Sequence, residues 1–186
     1  PNIVTIHEIG EANGTHFIVT EFIKGKTLRE VMKTETLSIE QILKIVLQIA
    51  TGIETAHDAG FIHRDIKPEN IMLRSDGLIK ILDFGLAKLA NPNTLTEIES
   101  IHTQKGVIMG TAAYMSPEQA RGKEVDGRTD IWSLGVVLYE MLVGHVPFNG
   151  ASSSDVVAAV LKYDPPSVCE LNPPLPRELD AIVSRA

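Results

Sequence analysis

The segment from Thr129 to Val143 constrains the fold most, because it is apolar around almost its whole circumference when drawn as a helix. Such a helix has no polar face to turn towards water, so other elements have to enclose it. Gly144 follows and supplies the expected stop. A chain of 186 residues, 44% of them hydrophobic, can build such a core as a single domain. The sequence therefore predicts a globular domain in which this helix is buried.

The remaining pattern begins as β structure and then becomes helical. Apolar residues predict two strands over 3–9 and 17–22, joined by a turn at Asn13-Gly14, a dipeptide that tolerates positive φ. A second short hairpin is predicted from residues 71–73 and 79–81.

Helical spacing marks two further segments. Ser38 and Gln41 form a capping-box signature in front of apolar residues at helical spacing, and Gly60 would end that helix. After Gly144, we expect a loop-rich tail with several prolines, followed by a last helix from about Glu178.

Composition argues against several classes of protein. The single cysteine, Cys169, excludes an internal disulfide and fits a reducing, cytoplasmic compartment. A net charge of -7 argues against a nucleic-acid partner. The longest apolar stretch, 131–143, is too short to cross a bilayer, so we expect no membrane segment in this piece. A membrane anchor elsewhere in the native protein stays open.

The stretch HRDIKPEN, residues 63–70, concentrates charged side chains between two apolar runs. Asp65 can orient a hydroxyl or accept its proton, Lys67 can neutralise an anion, and Asn70 offers an amide oxygen to a hard cation such as Mg²⁺. Asp83 follows the second hairpin and brings another carboxylate within reach. Phosphoryl transfer needs this combination of positioning and charge neutralisation.

Three motifs in order and spacing, HRDIKPEN, Asp83-Phe84-Gly85 and Ser116-Pro117-Glu118, resemble the catalytic loop, metal-binding motif and activation-segment end of the protein kinase superfamily. Residues 110–122 and 130–142 are similar to segments of bacterial kinases of the eukaryotic-like serine/threonine type. The resemblance covers essentially the whole chain. It implies an α+β, protein-kinase-like fold, with the last N-lobe strands and the hinge in 1–23. Residues 24–186 would form a mainly helical C-terminal lobe, truncated at its end.

The resemblance implies catalytic roles for the loop residues. Asp65 would be the catalytic base, Lys67 would stabilise the transferred phosphate, and Asn70 and Asp83 would hold Mg²⁺ or Mn²⁺. A lysine two residues after the aspartate is the serine/threonine pattern. Thr111 matches the hydroxyl that contacts the catalytic aspartate and lysine in such enzymes.

The resemblance also locates an ATP pocket. Thr20 matches the gatekeeper, and Glu21, Phe22 and Ile23 match the hinge whose backbone hydrogen-bonds adenine. Met72 matches the apolar floor under that ring. A mainly apolar pocket with a few polar groups is typical of nucleotide sites.

Several residues have both a structural interpretation from the resemblance and a simpler one. His63 would join an apolar spine with Ile6 and with Phe84, the residue before Gly85, or be an ordinary buried histidine. Glu118 would pair with an arginine beyond Ala186, or be a surface carboxylate. Asp130 would hold the catalytic loop, or only favour the N-terminus of its helix.

A regulatory site is also implied. Arg64 and Lys88 resemble the basic pocket that receives a phosphate from the activation loop, which here covers residues 90–109. Thr103 is the preferred phosphate acceptor. The next candidates in that loop are Ser100, Thr94 and Thr96.

The chain departs from the family pattern at its beginning. No glycine-rich loop, ATP-binding strand lysine or partner helix glutamate precedes Pro1, which we attribute to truncation. This chain alone is therefore expected to transfer phosphate slowly or not at all. For the native protein we expect protein substrates with Ser or Thr, and autophosphorylation through self-association stays open. The alternatives are a pseudokinase scaffold that binds ATP and, with less support, a small-molecule kinase of the antibiotic phosphotransferase type.

Overall fold

The computed structural model describes residues 1–83 and 112–186. Within these ranges the strands form two small antiparallel sheets, with the orders β1-β2 and β3-β4-β5. The strands are β1 (Ile6–Ala12), β2 (Thr15–Thr20), β3 (Gly25–Thr27), β4 (Ile71–Arg74) and β5 (Ile79–Ile81). The helices are α1 (Leu28–Thr34), α2 (Ile39–Asp58), α3 (Pro117–Ala120), α4 (Arg128–Val143), α5 (Ser153–Lys162), α6 (Val168–Leu171) and α7 (Arg177–Val183), with a 3₁₀ turn at Pro68–Asn70. The predicted α+β class is confirmed. The division of the chain after residue 23 stays a prediction.

The first hairpin forms around the predicted turn. Asn13 and Gly14 have φ angles of 53° and 75°, the left-handed conformation that a tight hairpin turn requires. β1 begins later than predicted, because Ile3 forms a parallel bridge with Ile81 of β5. β2 also ends before residue 21, so residues 21–23 connect the two sheets.

The long helix α2 follows the predicted boundaries. The Ser38 side chain accepts a hydrogen bond from the backbone N–H of Gln41, whose own side chain bonds back to the N-cap backbone. The helix ends before Gly60, which has a φ of 79°. Ile49 and Ile53 are almost completely buried on the face that joins the main core.

The central helix is α4, and it is buried on nearly all sides, as the sequence predicted. Its side chains contact α2 on one side and α6 and α7 on another. Val137 and Tyr139 are among the most buried residues of the described ranges. Gly144 ends the helix with a φ of 89°, and its N–H donates to the carbonyl of Glu140. No helix in the described ranges combines the length and apolarity needed to cross a membrane.

The C-terminal region contains more helix than the predicted loop-rich tail. Ser152 and Asp155 form a reciprocal capping box that begins α5. Pro165 and Pro166 lie between α5 and α6, where a proline has no helical hydrogen bond to break. The prolines therefore separate short helices instead of marking a continuous loop.

Candidate active site

The buried carboxylate of Asp130 holds the backbone of the loop that contains HRDIKPEN. Asp130 lies in the first turn of α4 and is 0% exposed. Its Oδ2 accepts a hydrogen bond from the backbone N–H of His63 at 2.8 Å, and its Oδ1 accepts one from Arg64 at 2.7 Å. The Nε2 of His57 lies 2.8 Å from the same Oδ2. These bonds fix Arg64 at a φ of 71°, a conformation that is costly for a residue with a side chain.

His63 connects this loop to the end of β5. Its Nε2 lies 2.7 Å from the carbonyl oxygen of Leu82, and its Nδ1 accepts a hydrogen bond from the N–H of Asp65. Because a carbonyl only accepts, the proton resides on Nε2. The N–H of Leu82 donates to the carbonyl of Asn70 at 2.8 Å. The imidazole thus fixes the backbone on both sides of the site, next to Asp83.

Asp65, Lys67 and Asn70 form one cluster. The ammonium group of Lys67 lies 2.7 Å from Oδ2 of Asp65. The amide Nδ2 of Asn70 donates to the same oxygen at 2.9 Å and to the backbone carbonyl of Asp65 at 2.8 Å. The 3₁₀ turn that begins at Pro68 folds the chain back and makes these contacts possible. The Asp65 side chain is still 43% exposed, so a substrate group can reach it.

The oxygen atoms at this site fit a hard cation. Both hydrogen bonds of the Asn70 amide nitrogen go to acceptors on Asp65, which directs the amide oxygen away from Asp65. The carboxylate of Asp83 is exposed, one residue after the Leu82 backbone that is bonded to the loop. No group of three or more His, Cys, Asp or Glu in the described ranges could hold a metal ion. One carboxylate and one amide oxygen nevertheless suit Mg²⁺, which usually keeps water and phosphate oxygens as its other ligands.

The residues predicted to form the ATP pocket lie near the connection between the sheets. Thr20 is exposed at the end of β2, and the Phe22 side chain is 92% exposed. Met72 is half-buried in β4, where it is paired in register with Lys80 of β5. Ile23 is half-buried just before β3.

Glu21 forms an ion pair that the sequence analysis did not identify. Lys80 is 7% exposed, and its Nζ lies 2.6 Å from Oε1 of Glu21. The hydrogen bond from Lys80 and a backbone hydrogen bond from Thr5 lower the pKa of Glu21 to about 2. The signal was a lysine between two isoleucines of a buried strand, where a charge requires a partner.

A partly buried arginine forms a second network that the sequence analysis did not identify. Arg29 in α1 donates from Nε to Glu69 at 2.7 Å and from Nη1 to Glu140 at 2.6 Å. Its Nη2 also donates to the hydroxyl of Tyr114, which in turn donates to the second oxygen of Glu140. Burial, and then the charge of Glu140, raise the pKa of Tyr114 above its usual range. The network joins α1, the 3₁₀ turn, α4 and the segment that begins at Ala112.

The short helix α3 lies against the catalytic loop. The side chain of Gln119 donates to the backbone carbonyl of Arg64 at 2.7 Å. The hydroxyl of buried Ser116 lies 2.6 Å from that of Thr129 in α4. Glu118 is half-buried, and no ion pair of its carboxylate is found within the described ranges. Its predicted arginine partner therefore stays a prediction.

Several predicted residues lie outside the described ranges. They are Phe84, Gly85, Lys88, Thr94, Thr96, Ser100, Thr103 and Thr111. Arg64, the first half of the predicted phosphate pocket, is described. Its Nε is buried and has no hydrogen-bond partner among the described residues.

Comparison with known proteins places this site in a family. A model of the protein kinase domain matches residues 1–177. The chain is 37% identical over 187 residues to the serine/threonine-protein kinase PrkC of Bacillus subtilis, and 38% over 191 residues to the serine/threonine-protein kinase PknB of Mycobacterium leprae. It is 39% identical over 189 residues to a probable serine/threonine-protein kinase of Clostridium perfringens. Each match covers 100% of this chain, which spans only 26 to 30% of the length of those relatives. Because the domain model matches nearly the whole chain, and because these relatives are similar to it over its full length, the chain belongs to the protein kinase family.

Proposed function

We propose that the protein transfers the γ-phosphate of ATP to serine or threonine hydroxyls of proteins. The observation that carries this proposal is the cluster of Asp65, Lys67 and Asn70 on a loop whose backbone is bonded to the buried Asp130. Phosphoryl transfer depends mainly on positioning and on electrostatic stabilisation. A rigid loop that presents a carboxylate, an ammonium group and an amide oxygen together supplies both.

Each side chain of the cluster has a distinct role in this proposal. Asp65 orients the acceptor hydroxyl and accepts its proton, and Lys67 neutralises charge on the transferred phosphate. Thr111 would contribute a hydroxyl to this pair, as the resemblance implies. Asn70 and Asp83 hold Mg²⁺ or Mn²⁺, which supplies neutralisation of the phosphate charge when it is bound.

The adenine end of ATP lies at the connection between the two sheets. Backbone groups of Glu21, Phe22 and Ile23 hydrogen-bond the adenine edge, while Met72 packs against its face. Thr20 limits the depth of the pocket. The fixed position of Glu21 supports this assignment, because a preformed hinge lowers the ordering cost of binding.

Activity is regulated by phosphorylation of Thr103, which Arg64 and Lys88 would bind. The buried Nε of Arg64, without a partner among the described residues, supports an anion at this position. The protein would phosphorylate itself through self-association. Phosphopeptide mapping of active protein should find phosphate on Thr103. A map with Thr103, Ser100, Thr94 and Thr96 all unmodified would contradict the regulatory proposal.

The direct test uses the complete gene product with Mg·ATP labelled at the γ-phosphate and a generic protein substrate. We expect label on serine or threonine, and we expect Asp65→Asn to abolish it. Asp76→Asn is the matched control, since it makes the same chemical change on an exposed carboxylate of the β4-β5 turn. Transfer that is indifferent to Asp65 would assign the chemistry to another site. Folded protein that binds ATP but transfers no phosphate would instead indicate a pseudokinase scaffold.

A further inference from the structure

We propose that Lys80 is a positioning residue that fixes the hinge to β5 and thereby holds the adenine end of the nucleotide site in its binding conformation. The inference rests on the proposed function, since it concerns the same ATP site. It adds a residue that acts on this site through its ion pair with Glu21.

The geometry around Lys80 joins three separate segments. Its ammonium group donates to Oε1 of Glu21 at 2.6 Å and to the backbone carbonyl of Ile3 at 3.2 Å. The same Glu21 oxygen accepts the N–H of Thr5 at 2.9 Å, and the N–H of Glu21 donates to the carbonyl of Thr5 at 3.0 Å. Both the backbone and the side chain of the first hinge residue are therefore fixed.

The segment before β1 has its own attachment to β5. The N–H of Val4 donates to the carbonyl of Ile81 at 2.9 Å, and the N–H of Ile81 donates to Asn2 at 2.8 Å. The Asn2 side chain also donates to the carbonyl of Ile79 at 3.0 Å. Loss of the Lys80 ammonium would leave these bonds in place. Lys80 is thus dispensable for attaching residues 2–4, and its specific contribution is to the hinge.

Apart from the two hydrogen bonds between Glu21 and Thr5, the hinge has few other constraints. Phe22 points into solvent, and β3 does not begin until Gly25. Among the described residues, Lys80 provides the hydrogen bond between the hinge and β5. A buried ammonium strongly favours its carboxylate partner, because an uncompensated charge at this position is costly. The ion pair therefore selects one position of Glu21.

The position of Lys80 in β5 links the two ends of the nucleotide site. Lys80 is paired in register with Met72, the proposed floor under adenine. Asp83, the proposed metal ligand, follows three residues later in the chain. The strand β5 therefore contains Lys80, which positions the hinge, and is followed closely by Asp83, the proposed metal ligand. A mobile hinge would have to be ordered each time ATP binds, which would lower nucleotide affinity.

The test is Lys80→Met in the complete gene product, because methionine keeps an unbranched apolar stem and removes the charge. We expect the KM for ATP to rise roughly tenfold, the loss expected for one charge-assisted hydrogen bond, with kcat and the KM for the protein substrate within about twofold of wild type. Glu21→Gln removes the negative charge of the same pair but keeps an oxygen that can accept from Lys80, so we expect a smaller rise in the same direction. The double variant should be no worse than the more affected single variant.

Lys26→Met is the matched control, since Lys26 pairs with Glu35 at 3.0 Å on the surface and its loss should leave the KM for ATP unchanged. An unchanged KM for ATP in both Lys80→Met and Glu21→Gln, or an equal loss in kcat and both KM values, would overturn the inference. If Lys80→Met does not fold, the KM for ATP of Glu21→Gln tests the inference on its own. If wild-type protein transfers no phosphate, the proposed function fails. In that case the affinity for ADP, measured by calorimetry for wild type and for Lys80→Met, still tests the role of Lys80. Weaker binding by Lys80→Met would support that role, and unchanged binding would contradict it.

Discussion

Removal of the Arg29 guanidinium should destabilise the domain strongly, because it would leave a buried carboxylate without its cation. Glu140 has an 8% exposed side chain in α4, and Arg29 donates to one of its oxygens while Tyr114 donates to the other. Arg29→Met keeps most of the apolar stem and removes all the donors. Glu140 would then retain only the neutral hydroxyl of Tyr114 as a partner within this network.

The expected loss can be estimated from the two ion pairs of Arg29. Breaking a buried pair by removal of one partner costs about 3 to 5 kcal/mol. The pair with Glu69, whose side chain is 47% exposed, adds at most about 1 kcal/mol. Tyr114 still donates a hydrogen bond to Glu140 in the variant. We therefore expect the loss in unfolding free energy to lie near the lower end of this range, at about 3 to 4 kcal/mol. Such a loss is a large share of the stability of a typical domain.

The measurement is urea unfolding of the complete gene product, followed by tryptophan fluorescence, to which Trp132 in α4 contributes. Glu140→Gln and the double variant complete a thermodynamic cycle, and we expect a coupling of about 2 to 3 kcal/mol between the two positions. Arg74→Met is the matched control, because Arg74 pairs with Asp76 on the surface and its loss should cost less than about 1 kcal/mol. A loss below about 1 kcal/mol for Arg29→Met, or no coupling with Glu140, would refute the reasoning.

Three further predictions concern other parts of the described structure. Asp130→Asn replaces one carboxylate oxygen that accepts a backbone N–H by an amide nitrogen, which can only donate. We therefore expect phosphate transfer to be at least about tenfold slower and the free energy of unfolding to fall by about 2 to 3 kcal/mol. The hydrogen bond from Lys80 lowers the pKa of Glu21 from its ordinary value of 4.5 to about 2 in the folded protein, so the contribution of Glu21 to stability is complete above pH 4.5 and is lost as pH falls towards 2. Acid unfolding of Glu21→Gln should show a shallower loss over that interval than wild type. Gly144→Ala would place a side chain at a φ of 89°, and we expect thermal unfolding to show a loss of about 1 to 2 kcal/mol.

Local features of the fold could be predicted from the sequence, because they depend on residues a few positions apart. The capping box at Ser38 and the turn at Asn13-Gly14 each use partners within three residues. The helix α4 was predictable from its apolar character alone. The ends of β1 and β2 were not, because the bridge of Ile3 to Ile81 connects distant parts of the chain.

The same distinction holds for the candidate site. Asp65, Lys67 and Asn70 lie within six residues, so their spacing already suggested a common site. The partners of Arg29 lie 40, 85 and 111 residues away, and Lys80 lies 59 residues from Glu21. Local periodicity carries no information about such pairs. A lone lysine in β5, or a lone glutamate in α4, shows only that some partner has to exist.

The helix that most constrained the fold also organises the site. Within its apolar surface, α4 carries two buried carboxylates, Asp130 and Glu140, which lie about 15 Å apart along the axis of an ideal helix. Asp130 holds the backbone of the catalytic loop, while Glu140 holds Arg29 and Tyr114. Burial makes each carboxylate dependent on its partners, so each selects one position for the segment it contacts. The core is therefore more than a support for the loop, because its two internal charges determine where the loop and the Tyr114 segment lie relative to one another.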